Sequence, residues 1–165
     1  MARKSAGLLM YRYRDGVLQV LLVHLGGPYW AGKEKGAWSI PKGEYEPDED
    51  PLSAAQREFE EETGFKPGGH FIPLKPARQR SGKIIAAWAF EGDCDPAALK
   101  SNTFRIEWPP HSGKIQIFPE IDRAAWFDIR KAKEKISPGQ VDFLSDLEQI
   151  IFSQKSKKRA ENHNP

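Results

Sequence analysis

Apolar residues along this chain come in short runs of strand length, and in two segments they recur at helical spacing. Residues 6–13 and 17–25 are the first two runs, and Arg14-Asp15-Gly16 between them suits the turn of a β-hairpin. The second run, VLQVLLVHL, is almost continuously apolar, which predicts a central strand covered on both faces. The pattern then breaks over residues 26–36, an irregular glycine-containing loop that carries Tyr29, Trp30, Lys33 and Lys35. Trp38 and Ile40 predict a short strand, after which Pro41-Lys42-Gly43 turns the chain.

From Pro51 to Thr63 the period changes to that of a helix. Leu52, Ala55 and Phe59 form its apolar stripe, and Glu58, Glu61 and Glu62 fall within an arc of about 100° beside it. Ala54 is expected on the carboxylate side, and Arg57 precedes Glu61 by four residues, a pairing distance. Acidic Asp48, Glu49 and Asp50, then Pro51, suit the helix start, and Gly64 suits its end. Residues 71–74 and 84–90 predict strands joined by a basic segment with Arg78, Arg80 and Lys83, and residues 91–113 read as a long polar connection. Two last strands, 115–118 and 124–127, flank Pro119-Glu120-Ile121-Asp122. Residues 129–136 and 138–152 finish the domain, the latter a helix with Val141, Leu144, Leu147 and Ile151 toward the core. This order of elements predicts an α/β or α+β fold in one domain spanning 1–152.

Composition narrows the function classes. A 165-residue chain with mean hydropathy of -0.63 is large enough for one sizeable core, and no apolar run approaches membrane-spanning length. The single Cys94, between Asp93 and Asp95, excludes an intrachain disulfide and a cysteine zinc site. Net charge is +2, and much of the basic excess lies in residues 153–165, where Lys155, Lys157, Lys158 and Arg159 face Glu161. The body is therefore no platform for DNA, and the segment 153–165 reads as a disordered basic tail. The basic start of the chain leads into a stretch interrupted by Arg12 and Arg14, unlike a secretory signal, so a cytoplasmic protein is expected.

Three carboxylates on one helix face have two readings. One is a solvated acidic surface. The other is a site for a hard cation, because Mg²⁺ favours carboxylate oxygens and shares its remaining positions with water and phosphate. The exposed rings of Tyr29 and Trp30 pack the loop or stack on a base, and Arg78 and Arg80 are solvated or bind polyphosphate.

The run G-x5-E-x7-R-E-U-x-E-E-x-G-U, where U is bulky and apolar, is complete in Gly43, Glu49, Arg57, Glu58, Phe59, Glu61, Glu62, Gly64 and Phe65. It resembles the box of the Nudix hydrolases, and the likeness extends to Trp38-Ser39-Ile40-Pro41-Lys42 and to Ser5-Ala6-Gly7. The resemblance implies an α/β/α sandwich with a mixed sheet between helices. It also implies Mg²⁺- or Mn²⁺-dependent hydrolysis of a nucleoside diphosphate linked to a further group, such as a dinucleoside polyphosphate or a nucleoside triphosphate. The resemblance implies metal contacts from Glu58, Glu61, Glu62 and the Lys42 carbonyl, with Glu49 supporting the loop or a further metal, Glu58 as ligand or base, and Arg57 holding a carboxylate. Glu120 is a further candidate base or ligand, against a structural role in its turn. Tyr29, Trp30, Lys42, Arg78 and Arg80 are candidates for substrate contact. A nucleotide sensor without turnover and a hydrolase of non-nucleotide diphosphates are the alternatives, and oligomeric state is left open.

Overall fold

The computed structural model describes residues 4–162, so the outermost residues of the expected domain and tail lie outside it. The expected hairpin is present as β1 (Lys4–Arg14) and β2 (Val17–Leu25), turned by Asp15 and Gly16, both at positive φ. Positive φ at both central positions matches the right-handed twist of the strands. β3 (Trp38–Ser39) pairs with β2, and β4 (Lys42–Glu44) pairs with β1. Helix α1 (Pro51–Thr63) follows, then β5 (Ile72–Pro73), β6 (Ala77–Arg78) and β7 (Ile84–Glu91). β7 runs parallel to β1, with Ala6 beside Ala86, while the other pairings are antiparallel. A short helical turn at Pro96–Ala98 leads to β8 (Thr103–Glu107), β9 (Ile115–Pro119) and β10 (Ile121–Asp128). Helices α2 (Ile129–Lys135) and α3 (Val141–Asn162) close the chain.

The main sheet has the order β10-β2-β1-β7-β5 and is mixed, as expected. Alternation along β1 decides the two layers. Ala6, Leu8 and Met10 point to α1, where they meet Ala54, Ala55, Phe59 and Phe90. Leu9 and Tyr11 point to the opposite layer with Phe143, Leu144, Leu147 and Ile151 of α3. Val20 to His24 of β2 are buried on both faces, as the continuous apolar run requires. Phe59 is fully buried, and truncating such a ring costs about 3–5 kcal/mol.

Three expectations are corrected. Ala54 is fully buried with Ala55 instead of lining the carboxylate face, because the helix seats on the sheet through a wider stripe. The connection 91–113 contains β8, which forms a separate two-stranded sheet with β9; hairpin pairing across residues 108–114 stabilises a strand that is weakly apolar in sequence. The segment from residue 153 is not irregular: α3 continues to Asn162. Gln154, Lys155, Lys157, Lys158, Arg159 and Ala160 are good helix formers, and no Gly or Pro interrupts them, so the helix propagates from its packed first half. Among the described residues no helix is long and apolar enough to cross a membrane.

Candidate functional site

The approach to α1 is held from below. Gln140 is buried, accepts from the Ile40 amide at 3.0 Å and donates to Ser39 Oγ at 2.9 Å, which fixes the strand just before Pro41-Lys42. Lys42 and Gly43 then lie against Gly7 and Ala6 of β1. At the other end of the loop Asp50 caps α1, accepting from the Ser53 amide at 3.0 Å, and Gly64 closes it in the left-handed region at φ 79°. The helix axis and the β4 strand are thereby set side by side.

That juxtaposition explains Gly43. A Cβ there would lie 2.0 Å from Glu58 Oε2, so the carboxylate rests directly on the glycine backbone. Arg57 gathers the rest. Its Nε and Nη2 hold Glu49 in a two-pronged pair at 2.9 and 3.0 Å, while Nη1 reaches Glu58 at 2.8 Å and Glu61 at 3.3 Å. Solvent screens the exposed Glu49 and Glu61 pairs, so the clamp matters for position more than for stability. Hydrogen bonding to Arg57 keeps the Glu49 carboxyl below the usual range.

Glu62 turns away from Arg57 and accepts from the Lys42 amide at 3.3 Å. Burial pushes its carboxyl up to about 8; Lys42 opposes the shift, while nearby Glu58 and Glu120 add to it. Glu58 is also raised, chiefly by burial, and Arg57 pulls it back. Burial lowers the Lys42 ammonium, with Lys83 adding to that effect and Glu62, Glu44 and Glu58 opposing it. Glu120 is raised by burial against the pull of Lys42. Lys42, Glu58, Glu62 and Glu120 thus interact as one electrostatic group. Among the described residues no three acidic, histidine or cysteine side chains converge tightly enough to form a ready-made metal cage.

Glu120 reaches this group through an unforeseen brace. The Asn102 amide donates to the Glu61 carbonyl at 2.9 Å, and the Glu120 amide donates to the Asn102 carbonyl at 2.9 Å. Asn102 therefore ties the last turn of α1 to the turn that carries Glu120. No local sequence signal marks Asn102, because its role is made by two backbone bonds across distant segments. Lys83 was legible only as part of a basic segment; its ion pair with Glu44 at 3.0 Å sets it beside Lys42.

The remaining candidates lie further out. Arg78 and Arg80 are exposed at the β6–β7 turn, on the Lys83 side. Tyr29 is 55% and Trp30 37% exposed, with Lys33 Nζ 5.6 Å above the Trp30 ring. At its far end the loop is stapled where Glu34 accepts from Trp38 Nε1 and Lys135 Nζ, and where His24 contacts the Lys33 carbonyl and Asp122. Hydrogen bonds from Trp38, Lys135 and Arg123 hold the Glu34 carboxyl down at about 2. Burial and Asp93 push the Cys94 thiol up to about 11, which disfavours the thiolate.

A mixed sheet between helical layers, with a glycine strand beside an arginine-clamped row of glutamates, defines an α/β/α-sandwich protein whose acidic centre lies at one end of α1. The model of the NUDIX domain matches residues 1–147, and the chain belongs to the Nudix family. In fold it is similar to an Ap4A hydrolase of C. elegans in a binary complex, with a TM-score of 0.63 at 19% identity, over 90% of this chain and 98% of that one. It is similar also to the NUDIX domain of Shewanella oneidensis NrtR complexed with ADP ribose, with a TM-score of 0.57 at 16% identity, over 94% and 88% of the two chains. A curated relative, an octanoyltransferase of Myxococcus xanthus, is 31% identical over 101 residues; that match takes 61% of this chain and spans 25% of the relative.

Proposed function

We propose that this protein is a divalent-metal-dependent pyrophosphohydrolase acting on a nucleoside diphosphate linked to a further group, with dinucleoside polyphosphates and nucleoside triphosphates as the first substrates to examine. The observation that carries the reading is the complete box from Gly43 to Phe65 folded as strand, loop and capped helix, with Arg57 gathering Glu49, Glu58 and Glu61. The fold likeness to an Ap4A hydrolase and to an ADP-ribose complex supports the nucleotide class.

The donor set fits a hard dication. Glu62, Glu58 and Glu120 are carboxyls whose proton affinity is raised by burial near one another, which a divalent cation would relieve. Glu61, Glu62 and Glu58, with Glu49 and the Lys42 carbonyl, are the residues that would hold Mg²⁺ or Mn²⁺. Bound there, the ion would neutralise phosphate charge and lower the pKa of an attacking water.

The chain's own groups supply the rest. Arg57 keeps Glu49, Glu58 and Glu61 in register. Glu58 or Glu120 accepts the water proton, both carboxyls lying in the group around Glu62. The Lys42 ammonium lies among Glu62, Glu44 and Glu58, where it meets phosphate oxygens, with Lys83 nearby and Arg78 and Arg80 further out along the same edge.

The test is product chromatography after incubation with Mg²⁺, and separately Mn²⁺, against nucleoside triphosphates, dinucleoside polyphosphates, nucleotide sugars and ADP-ribose. Cleavage at a phosphoanhydride, reduced at least ~100-fold by Glu58→Gln, is the expected result. Undiminished turnover in that variant removes Glu58 from the mechanism, and no product from any member removes the nucleotide reading.

A further inference from the structure

The hairpin of β8 and β9 belongs to neither layer of the sandwich; its two strands pair with each other. Alternation sends Phe104, Ile106 and Trp108 to one face, with Phe118 opposite Phe104, and these side chains are partly covered. The other face leaves Ile115 and Ile117 exposed. The covered face leans on the loop 26–36. The Phe104 ring lies 2.7 Å from where a Cβ on Gly27 would stand, and Tyr29 meets Trp108 edge to face, centroids 5.1 Å apart and planes at 76°.

This contact is poorly explained as core. Tyr29 remains 55% exposed, so the pair leaves most of one ring in water although closing over it would gain burial. Two rings nearly at right angles make a corner in which a flat aromatic group stacks on one and meets the edge of the other, both favoured arrangements. The surroundings are polar: Lys33 sits beside Trp30, and His111 and Ser112 follow Trp108 around the hairpin tip. A base with a polar rim suits that setting better than an alkyl chain.

The corner also has a fixed relation to the acidic centre. The Gly26 amide donates to the Glu120 carbonyl at 2.8 Å, and Glu120 directly follows β9, so loop and hairpin spring from the same point. The Trp108 amide donates to the Lys114 carbonyl, six residues before Glu120, which puts Trp108 on the order of 20 Å up the hairpin from Glu120 at ~3.4 Å per residue. That is a span for several linked phosphates, not for a direct neighbour of the reacting one.

We propose that Tyr29 and Trp108 together bind the nucleobase at the far end of the substrate, selecting compounds in which a polyphosphate chain separates that base from the bond cleaved at the Glu58–Glu62–Glu120 centre. The inference rests on the hydrolase reading for its chemistry but is tested by binding alone. Titration calorimetry on the full chain with Mg²⁺ compares α,β-methylene-ATP with inorganic tripolyphosphate. The wild type is expected to prefer the nucleotide by about tenfold or more, and Trp108→Ala or Tyr29→Ala to reduce that preference below about threefold, without weakening tripolyphosphate. Trp108→Phe keeps most of the preference, since a ring remains. The proposal is overturned if the wild type shows no preference, if the alanine variants keep it, or if they weaken both ligands equally, the outcome of a purely structural clip. Expected ratios without turnover of any nucleotide would sink the hydrolase reading and leave the corner standing.

Discussion

Glu62 illustrates how a single side chain carries both stability and chemistry. Its carboxyl, ordinarily at 4.5, is held near 8 by burial beside Glu58 and Glu120. Between those values the folded chain keeps a proton that the unfolded chain has released, so unfolding frees a proton and stability falls as pH rises through the window. Above about 8 both states are ionised and the loss is complete. Denaturant melts in EDTA from pH 5 to 8 should show this decline, and Glu62→Gln should flatten it. A wild-type profile as flat as the variant's would mean that the carboxyl is already ionised at pH 5.

At the scale of elements, the site is a contact between a strand and a helix. β4 contributes a residue without a side chain, and α1 lays Glu58 into the space. Gly43→Ala puts a methyl group where that carboxylate lies, and the carboxylate, at the end of a flexible side chain, is the part that must move. The expected outcome is a folded protein whose kcat falls roughly 100-fold, because displacement by about 1 Å suffices for such a loss. Circular dichroism and steady-state kinetics check this together; an active Gly43→Ala protein would show that Glu58 need not lie against β4.

At the scale of the whole molecule, α3 divides into two functions. Its first half supplies Phe143, Leu144, Leu147 and Ile151 to the core, whereas residues 153–162 are exposed throughout. Ending the chain at Phe152 should therefore lower Tm by no more than about 3 °C, the effect of roughly 1 kcal/mol in a domain of this size. The Lys155 ammonium over Tyr13, at 5.1 Å, is a tertiary contact that such a truncation removes. Calorimetry on the two lengths decides the point, and a drop beyond about 8 °C would show that the extension packs as part of the domain.

The sequence alone determined what depends on local spacing. A 3.6-residue period puts Glu58, Glu61 and Glu62 on neighbouring helix positions whatever surrounds them, and Asp50, Pro51 and Gly64 mark the ends of α1 through their own backbone chemistry. The β1–β2 hairpin was legible for the same reason: alternation and a turn dipeptide act within a few residues. Tertiary structure decided whatever joins segments far apart in the chain. Arg57 was expected to pair with Glu61, but its strongest grip is on Glu49, which the loop brings back. Asn102 meets both Glu61 and Glu120, Lys83 meets Glu44, and Trp108 meets Tyr29, none of them by a periodicity that a strand or helix would print. Even the burial of Ala54 depended on how closely the sheet approached, since a helix fixes the angles among its side chains but not the width of the surface that covers them.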